Sequence, residues 1–135
     1  VKIEGVETEV HYYFGYGVST FFNYTYNTSE ITKNEENPAL EGNDLTNNPK
    51  HKYRAGITYS YPGFINGSVV FQHDRDLYLD DLNTDKAPNI TTLDLSVWKT
   101  FLDFVTLRFD VENLTDEEDY FSEGVLYYGS IRFDF

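Results

Sequence analysis

Apolar and polar residues alternate along this chain in long stretches. "IEGVETEVHYY", Ile3 to Tyr13, puts Val6, Thr8, Val10 and Tyr12 on one face. "VSTFFNYTY" follows with Val18, Thr20, Phe22, Tyr24 and Tyr26, and "HKYRAGITYSY" with Tyr53, Ala55, Ile57, Tyr59 and Tyr61. A fourth segment from Ile65 carries Gly67, Val69 and Phe71, a fifth carries Leu93, Leu95 and Val97, and a sixth carries Val105, Leu107, Phe109 and Val111. The seventh, Leu126 to Phe135, ends on Ile131, Phe133 and Phe135. The opposite faces hold Glu7, Glu9, His11, Lys52, Arg54, Asp94, Ser96, Arg108, Asp110, Glu112, Arg132 and Asp134. Period two with one apolar face predicts half-buried strands in an antiparallel, all-β sheet, and no stretch carries a helical period.

The connections alternate in length. Strands one and two, three and four, and five and six are separated by "FGY", "PGF" and "LDF". Apolar faces of paired strands must coincide, which demands an odd-numbered loop in each case. Three residues fit: Phe14-Gly15-Tyr16, Pro62-Gly63-Phe64 and Leu102-Asp103-Phe104. The other connections, "NTSEITKNEENPALEGNDLTNNPK", "LDDLNTDKAPN" and "TDEEDYFSEG", exceed the usual hairpin length of about two to five residues. All short turns therefore fall at one end of the sheet and all long polar loops at the other. An up-and-down transmembrane barrel has this asymmetry.

Ordered by depth, Tyr12, Tyr59, Tyr61, Phe101, Phe133 and Phe135 lie at the short-turn level, and Tyr24, Tyr26, Tyr53 and Tyr127 at the long-loop level. Aliphatic residues lie between, the lipid-facing pattern of an outer-membrane barrel. The other face would line a lumen, with Arg54, Asp94, Trp98, Arg108, Asp110 and Arg132 on it. In the last strand pair, setting Arg108 opposite Arg132 would join like charges. A two-residue slide sets Asp110 opposite Arg132 and Arg108 opposite Asp134, and this is the expected register.

The totals narrow the partners. The 135 residues carry a net charge of −13, which disfavours nucleic acid. No apolar run is long enough for a transmembrane helix. There is no cysteine, so disulfides are excluded. The chain starts at Val1, which suggests a processed chain or an excised piece. His11, His51 and His73 are scattered, no nucleophile–base pattern occurs, and neither an enzyme nor a cofactor is expected. Asp74, Asp76, Asp80, Asp81 and Asp85 lack the spacing of a calcium loop and read as a solvated loop. The alternative to the membrane barrel is a soluble acidic β-sandwich that binds carbohydrate or calcium through its long loops.

"TLDLSVWKTFLDFVTLRFDVENLTDEEDY", Thr92 to Tyr120, resembles the penultimate strands of TonB-dependent outer-membrane receptors. "IEGVETEV" and "GNDLTNNPKHKYRAGITYSY" resemble earlier strands of the same family, and the resemblance spans nearly the whole chain. It implies a transporter segment that takes up a scarce ligand (an iron chelate, vitamin or glycan) in the bacterial outer membrane. The partners implied are outer-membrane lipid, a plug domain and TonB through the rest of the receptor, and the barrel assembly machinery. In that family the terminal strand is the assembly signal: Phe135, Phe133 and Ile131 fit it, while its glycine position holds Ser130, with Gly129 one residue early. Family barrels have about 22 strands. Residues 1–135 are therefore expected to be the C-terminal third of a barrel, without a plug.

Overall fold

The computed structural model describes residues 1–61, 63–118 and 123–134. The alternating segments form seven antiparallel strands in one sheet, in the order β1-β2-β3-β4-β5-β6-β7. They are β1 (Lys2–Gly15), β2 (Val18–Glu30), β3 (His51–Ser60), β4 (Asn66–Arg75), β5 (Ile90–Phe101), β6 (Val105–Glu112) and β7 (Leu126–Phe133). Each strand pairs with its neighbour in sequence, an up-and-down meander. β1 and β7 do not meet, so the strip is open at both edges.

The registers keep the two faces continuous. One cross-strand row runs Tyr12, Thr20, Ile57, Val69, Leu95, Val111 and Tyr127 across all seven strands. The neighbouring row runs Tyr13, Ser19, Thr58, Ser68, Ser96, Asp110 and Tyr128. In the first row Ile57, Val69, Leu95 and Val111 are apolar between terminal tyrosines, and the hydroxyl of Thr20 donates to the Gly56 carbonyl at 2.7 Å. In the second row every member can hydrogen-bond. Both rows begin close to the short turn in β1 and end toward the long loop in β7. Strands staggered in this way belong to a tilted barrel wall.

The apolar face is uncovered. Ile57 is 58% exposed, Ile131 63% and Phe133 57%. A sandwich needs a second sheet over that face, and the described residues form only one. Among them the buried apolar side chains are Val111 on the sheet and Ile31, Leu77 and Ala87 in the long connections. At the long-loop end of this face, rings cluster: Tyr24 lies 4.9 Å from Tyr53, Tyr26 5.1 Å from His51, and Tyr53 6.0 Å from His73.

Two of the three short turns follow the parity argument. Phe101 pairs with Val105 around Leu102-Asp103-Phe104, where Leu102 (φ 51) and Asp103 (φ 61) are left-handed. Ser60 pairs with Asn66, the register that a Pro62-Gly63-Phe64 turn requires, although Pro62 lies outside the described residues. The first turn differs. β1 runs to Gly15, which pairs with Val18 through a bulge at Phe14, and the turn residues are Tyr16 and Gly17. Gly15, Tyr16 and Gly17 all have positive φ (89, 54 and 82), so the chain reverses in two residues and absorbs the third as a bulge. A Cβ on Gly17 would also strike the Ser60 carbonyl of β3.

The last register corrects the charge-based expectation. Arg132 faces Thr106 and Asp110 faces Tyr128, so the strand is displaced by four residues and parity is kept. Arg108 instead bonds Asp110 along its own strand (Nε to Oδ2, 2.8 Å), and Arg132 bonds Asp134 at 3.0 Å. With both charges satisfied within a strand, cross-strand pairs worth about 0.2–1 kcal/mol no longer select the register. The observed pairing uses every residue of β6, and the Asp134 N–H reaches the Phe104 carbonyl at 2.9 Å. The expected register would leave the start of β6 unpaired, at a cost of about 0.5–1.5 kcal/mol per hydrogen bond.

Candidate functional site

The polar face and the loops above it hold the chain's candidate chemistry. By period and register Arg54, Asp94, Trp98, Arg108, Asp110 and Arg132 all occupy this face. Three of them meet. The Arg108 guanidinium lies 5.4 Å over the Trp98 ring and ion-pairs with Asp110 at 2.7 Å. It also donates to the Ser96 hydroxyl at 3.0 Å, and that hydroxyl donates to Asp110. Trp98 is thus a half-exposed indole with its orientation fixed by a stacked, bidentate arginine. The other three are apart. Arg54 packs over Phe21, Arg132 pairs with Asp134 on the edge strand, and Asp94 accepts the Asn113 backbone N–H at 2.9 Å.

Phe21 has no place in a simple polar-face assignment. It stacks over Gly56, where an added Cβ would strike its ring. The sequence does carry a signal: Phe21 and Phe22 are adjacent in an alternating strand, so one of them must turn to the polar side.

Toward the long loops the same face forms a cleft of about 270 Å³ lined by Glu7, Asn23, Thr25, Lys52, Arg54, Gln72 and Asp74. The Oδ1 atoms of Asn23 and Asp74 are buried in its wall, with no protein hydrogen-bond partner among the described residues. The cleft therefore carries both signs of charge, Lys52 and Arg54 against Glu7 and Asp74.

The first two long loops are clasped together. The Asp44 N–H donates to Asn83 Oδ1 at 2.7 Å, and the Asn83 amide returns a bond to the Asp44 carbonyl at 3.0 Å. Asn43 donates to the Asp81 carbonyl at 2.9 Å, the Asn47 N–H to the Tyr78 carbonyl at 3.1 Å, and the Lys50 N–H to the Asp76 carbonyl at 3.2 Å. A turn of 3₁₀ helix, Pro38–Leu40, shapes the first loop.

The acidic residues do local work here. The bond from Lys86, aided by Arg75, holds the Asp76 carboxyl below the usual carboxylate range. Asp80 is lowered chiefly by the Asp85 backbone N–H and by Thr84, which it ties into its own turn. Lys50, bonded to Asp44 at 2.7 Å, is raised above the usual lysine value by that bond. Among the described residues no group of three or more His, Asp or Glu is arranged to hold a metal ion.

The third connection is organised by Asn113, the first residue of the Asn-Leu-Thr-Asp stretch. It is left-handed (φ 54) and buried, and its amide donates to the Glu117 and Glu123 carbonyls, each at 2.8 Å. Thr115 donates to the Thr91 carbonyl at 2.8 Å, so the motif fastens this connection to β5. Gly129, Ile131 and Phe133, expected from the sequence to belong to an assembly signal, lie on β7, on the apolar face, paired with Phe109, Leu107 and Val105. Phe135 lies outside the described residues.

A strip with one apolar face, one polar face, turns at one end and structured loops at the other has the build of a β-barrel wall. The family model "TonB dependent receptor-like, beta-barrel" matches residues 1–114, and the chain belongs to that family. Solved receptors share the fold. The ferric preacinetobactin receptor BauA from Acinetobacter baumannii matches with a TM-score of 0.78 and 21% identity, over 98% of this chain and 22% of that one. The ferric yersiniabactin uptake receptor FyuA from Yersinia pestis matches at 0.74 and 18%, over 98% and 23%. The siderophore receptor PiuA from Acinetobacter baumannii matches at 0.69 and 22%, over 85% and 18%. The chain thus spans about a fifth of the length of these receptors. A search of curated protein sequences finds no match.

Proposed function

We propose that residues 1–135 form the C-terminal part of the barrel of a TonB-dependent receptor that imports a ferric chelate across the bacterial outer membrane. The observation that carries this reading is the pair of continuous rows, apolar on one face and hydrogen-bonding on the other, beneath loops gathered at one end. The apolar face meets lipid. Arg54, Asp94, Trp98, Arg108, Asp110 and Arg132 face the lumen, where Trp98 and Arg108 form a platform for the plug domain. Gly129, Ile131, Phe133 and Phe135 present the last strand to the barrel assembly machinery. The plug and the TonB contact come from elsewhere in the receptor. An iron chelate is favoured over a vitamin or glycan because the similar solved structures are siderophore receptors.

The test is uptake of radiolabelled ferric chelates by cells expressing the whole receptor, with and without a functional TonB. Accumulation of at least one chelate that requires both receptor and TonB is the expected result. Equal accumulation without the receptor across catecholate, hydroxamate and carboxylate chelates would overturn the ligand assignment.

A further inference from the structure

Lys99 is the one formally charged residue on the short-turn half of the apolar face, among the described residues. The other charges on this face, Lys2, Glu4, Glu30 and Arg75, lie at the long-loop ends of their strands. Lys99 pairs across the strands with Leu107, which pairs with Ile131. Among the described residues no carboxylate lies within ion-pair distance of its ammonium, which leans toward the short turns and sits 5.4 Å over the Phe101 ring. Beside it runs a shallow groove of about 320 Å³, walled by Ile65, Val97, Phe101, Leu107 and Phe109. Phe101, Leu107 and Phe109 are between 42% and 49% exposed.

A bare apolar groove would suit any acyl chain. A groove with one cation at its turn-side end suits an amphiphile whose head is anionic. A lysine on a lipid-contacting surface extends its charge toward the interface and covers apolar surface with its stem. We propose that this groove with Lys99 is a binding site for one anionic phospholipid, the acyl chain lying along Leu107 and Phe109 and the phosphate meeting the Lys99 ammonium. The site rests on the membrane-barrel reading, and the short turns place it in the periplasm-side leaflet.

The whole receptor is purified from outer membranes in mild detergent. It is incubated with dioleoyl phosphatidylglycerol or dioleoyl phosphatidylcholine, and retained lipid is counted by mass spectrometry of the intact protein. The wild type is expected to retain phosphatidylglycerol over phosphatidylcholine. Lys99→Gln should lower phosphatidylglycerol retention about fivefold, the factor for one basic residue at an anionic bilayer surface. Lys99→Arg should keep it, and Leu107→Trp, which fills the groove, should lower retention with Lys99 intact. Recovery of the receptor in the outer-membrane fraction with equal retention by wild type and Lys99→Gln overturns the site alone. Recovery outside that fraction overturns the membrane reading and the site together.

Discussion

Arg108 takes Asp110 on its own strand as its partner and leaves Arg132 to pair with Asp134. Two residues apart on a strand share a face, so an arginine can reach along the pleat as readily as across it. On the last two strands the arginines are thus paired along the chain rather than across it. A double-mutant cycle of Arg108 and Asp110 should give a coupling of about 0.2–1 kcal/mol, in keeping with partly exposed ion pairs. The cycle of Asp110 with Arg132 should give a coupling near zero. Urea unfolding of the refolded receptor measures both, and a larger coupling for the second pair would restore a cross-strand register.

The two faces should respond oppositely to charge. Leu95→Arg and Leu107→Arg place a guanidinium on the apolar face, at about 2–4 kcal/mol near the bilayer midplane. Ser68→Asn, on the hydroxyl row, should cost little. The fraction of receptor that migrates as a folded, heat-modifiable band on gels reads this out. Similar losses on both faces would mean that the apolar face is covered by protein.

Removing Phe135 from the whole receptor should leave synthesis intact and deplete the outer-membrane fraction. Immunoblots of total and membrane fractions check it. Undiminished membrane levels would mean that the terminal aromatic is dispensable for assembly.

Gly56→Ala should destabilise the sheet by roughly 1–3 kcal/mol, the range for overpacking a filled site. The new methyl meets the Phe21 ring and lies 3.1 Å from the Val69 carbonyl. Phe21→Ala in the same protein should recover much of that loss. A double variant no better than Gly56→Ala would place the strain on the Val69 backbone.

The loop clasp should loosen in acid. Asp76 is held below its ordinary range by Lys86 and Arg75. Its contribution is therefore present above the unfolded value of about 3.9 and is lost as pH falls through the lower folded value. Hydrogen exchange at the Lys50 and Ala87 amides should stay slow through neutral and mildly acidic pH and quicken only below it. In Asp76→Asn the two amides should exchange faster at neutral pH and show no acid step. A step that survives this substitution would assign it to another carboxylate.

The strand faces and most of the short turns were legible because period two and parity are local rules. Leu93, Leu95 and Val97 can only point one way once the first is placed. The Phe14 bulge was hidden because Gly15, Tyr16 and Gly17 all accept positive φ, and a two-residue turn then competes with a three-residue one. The β6–β7 register was hidden because Arg108 and Asp110, two apart on one strand, satisfy each other and leave no cross-strand charge pair to set it. The clasp depends on Asp44 meeting Asn83, residues 39 positions apart, and no local pattern announces it. Of the candidate polar-face residues, Trp98, Arg108 and Asp110 formed a cluster because the β5–β6 turn fixes their pairing. Arg54 and Arg132, on other strand pairs, did not join it.

The clasp also bears on what an incoming molecule meets. Loops that order themselves only on contact lose conformational freedom at every encounter, and that loss is subtracted from affinity. Here Asp44 and Asn83 already exchange two hydrogen bonds, and Ile31, Leu77 and Ala87 are already buried. The ordering of these two connections is completed when the chain folds. A molecule that arrives from the loop side meets one preformed relief rather than two independent flexible arms, and a change that loosens either arm blunts both.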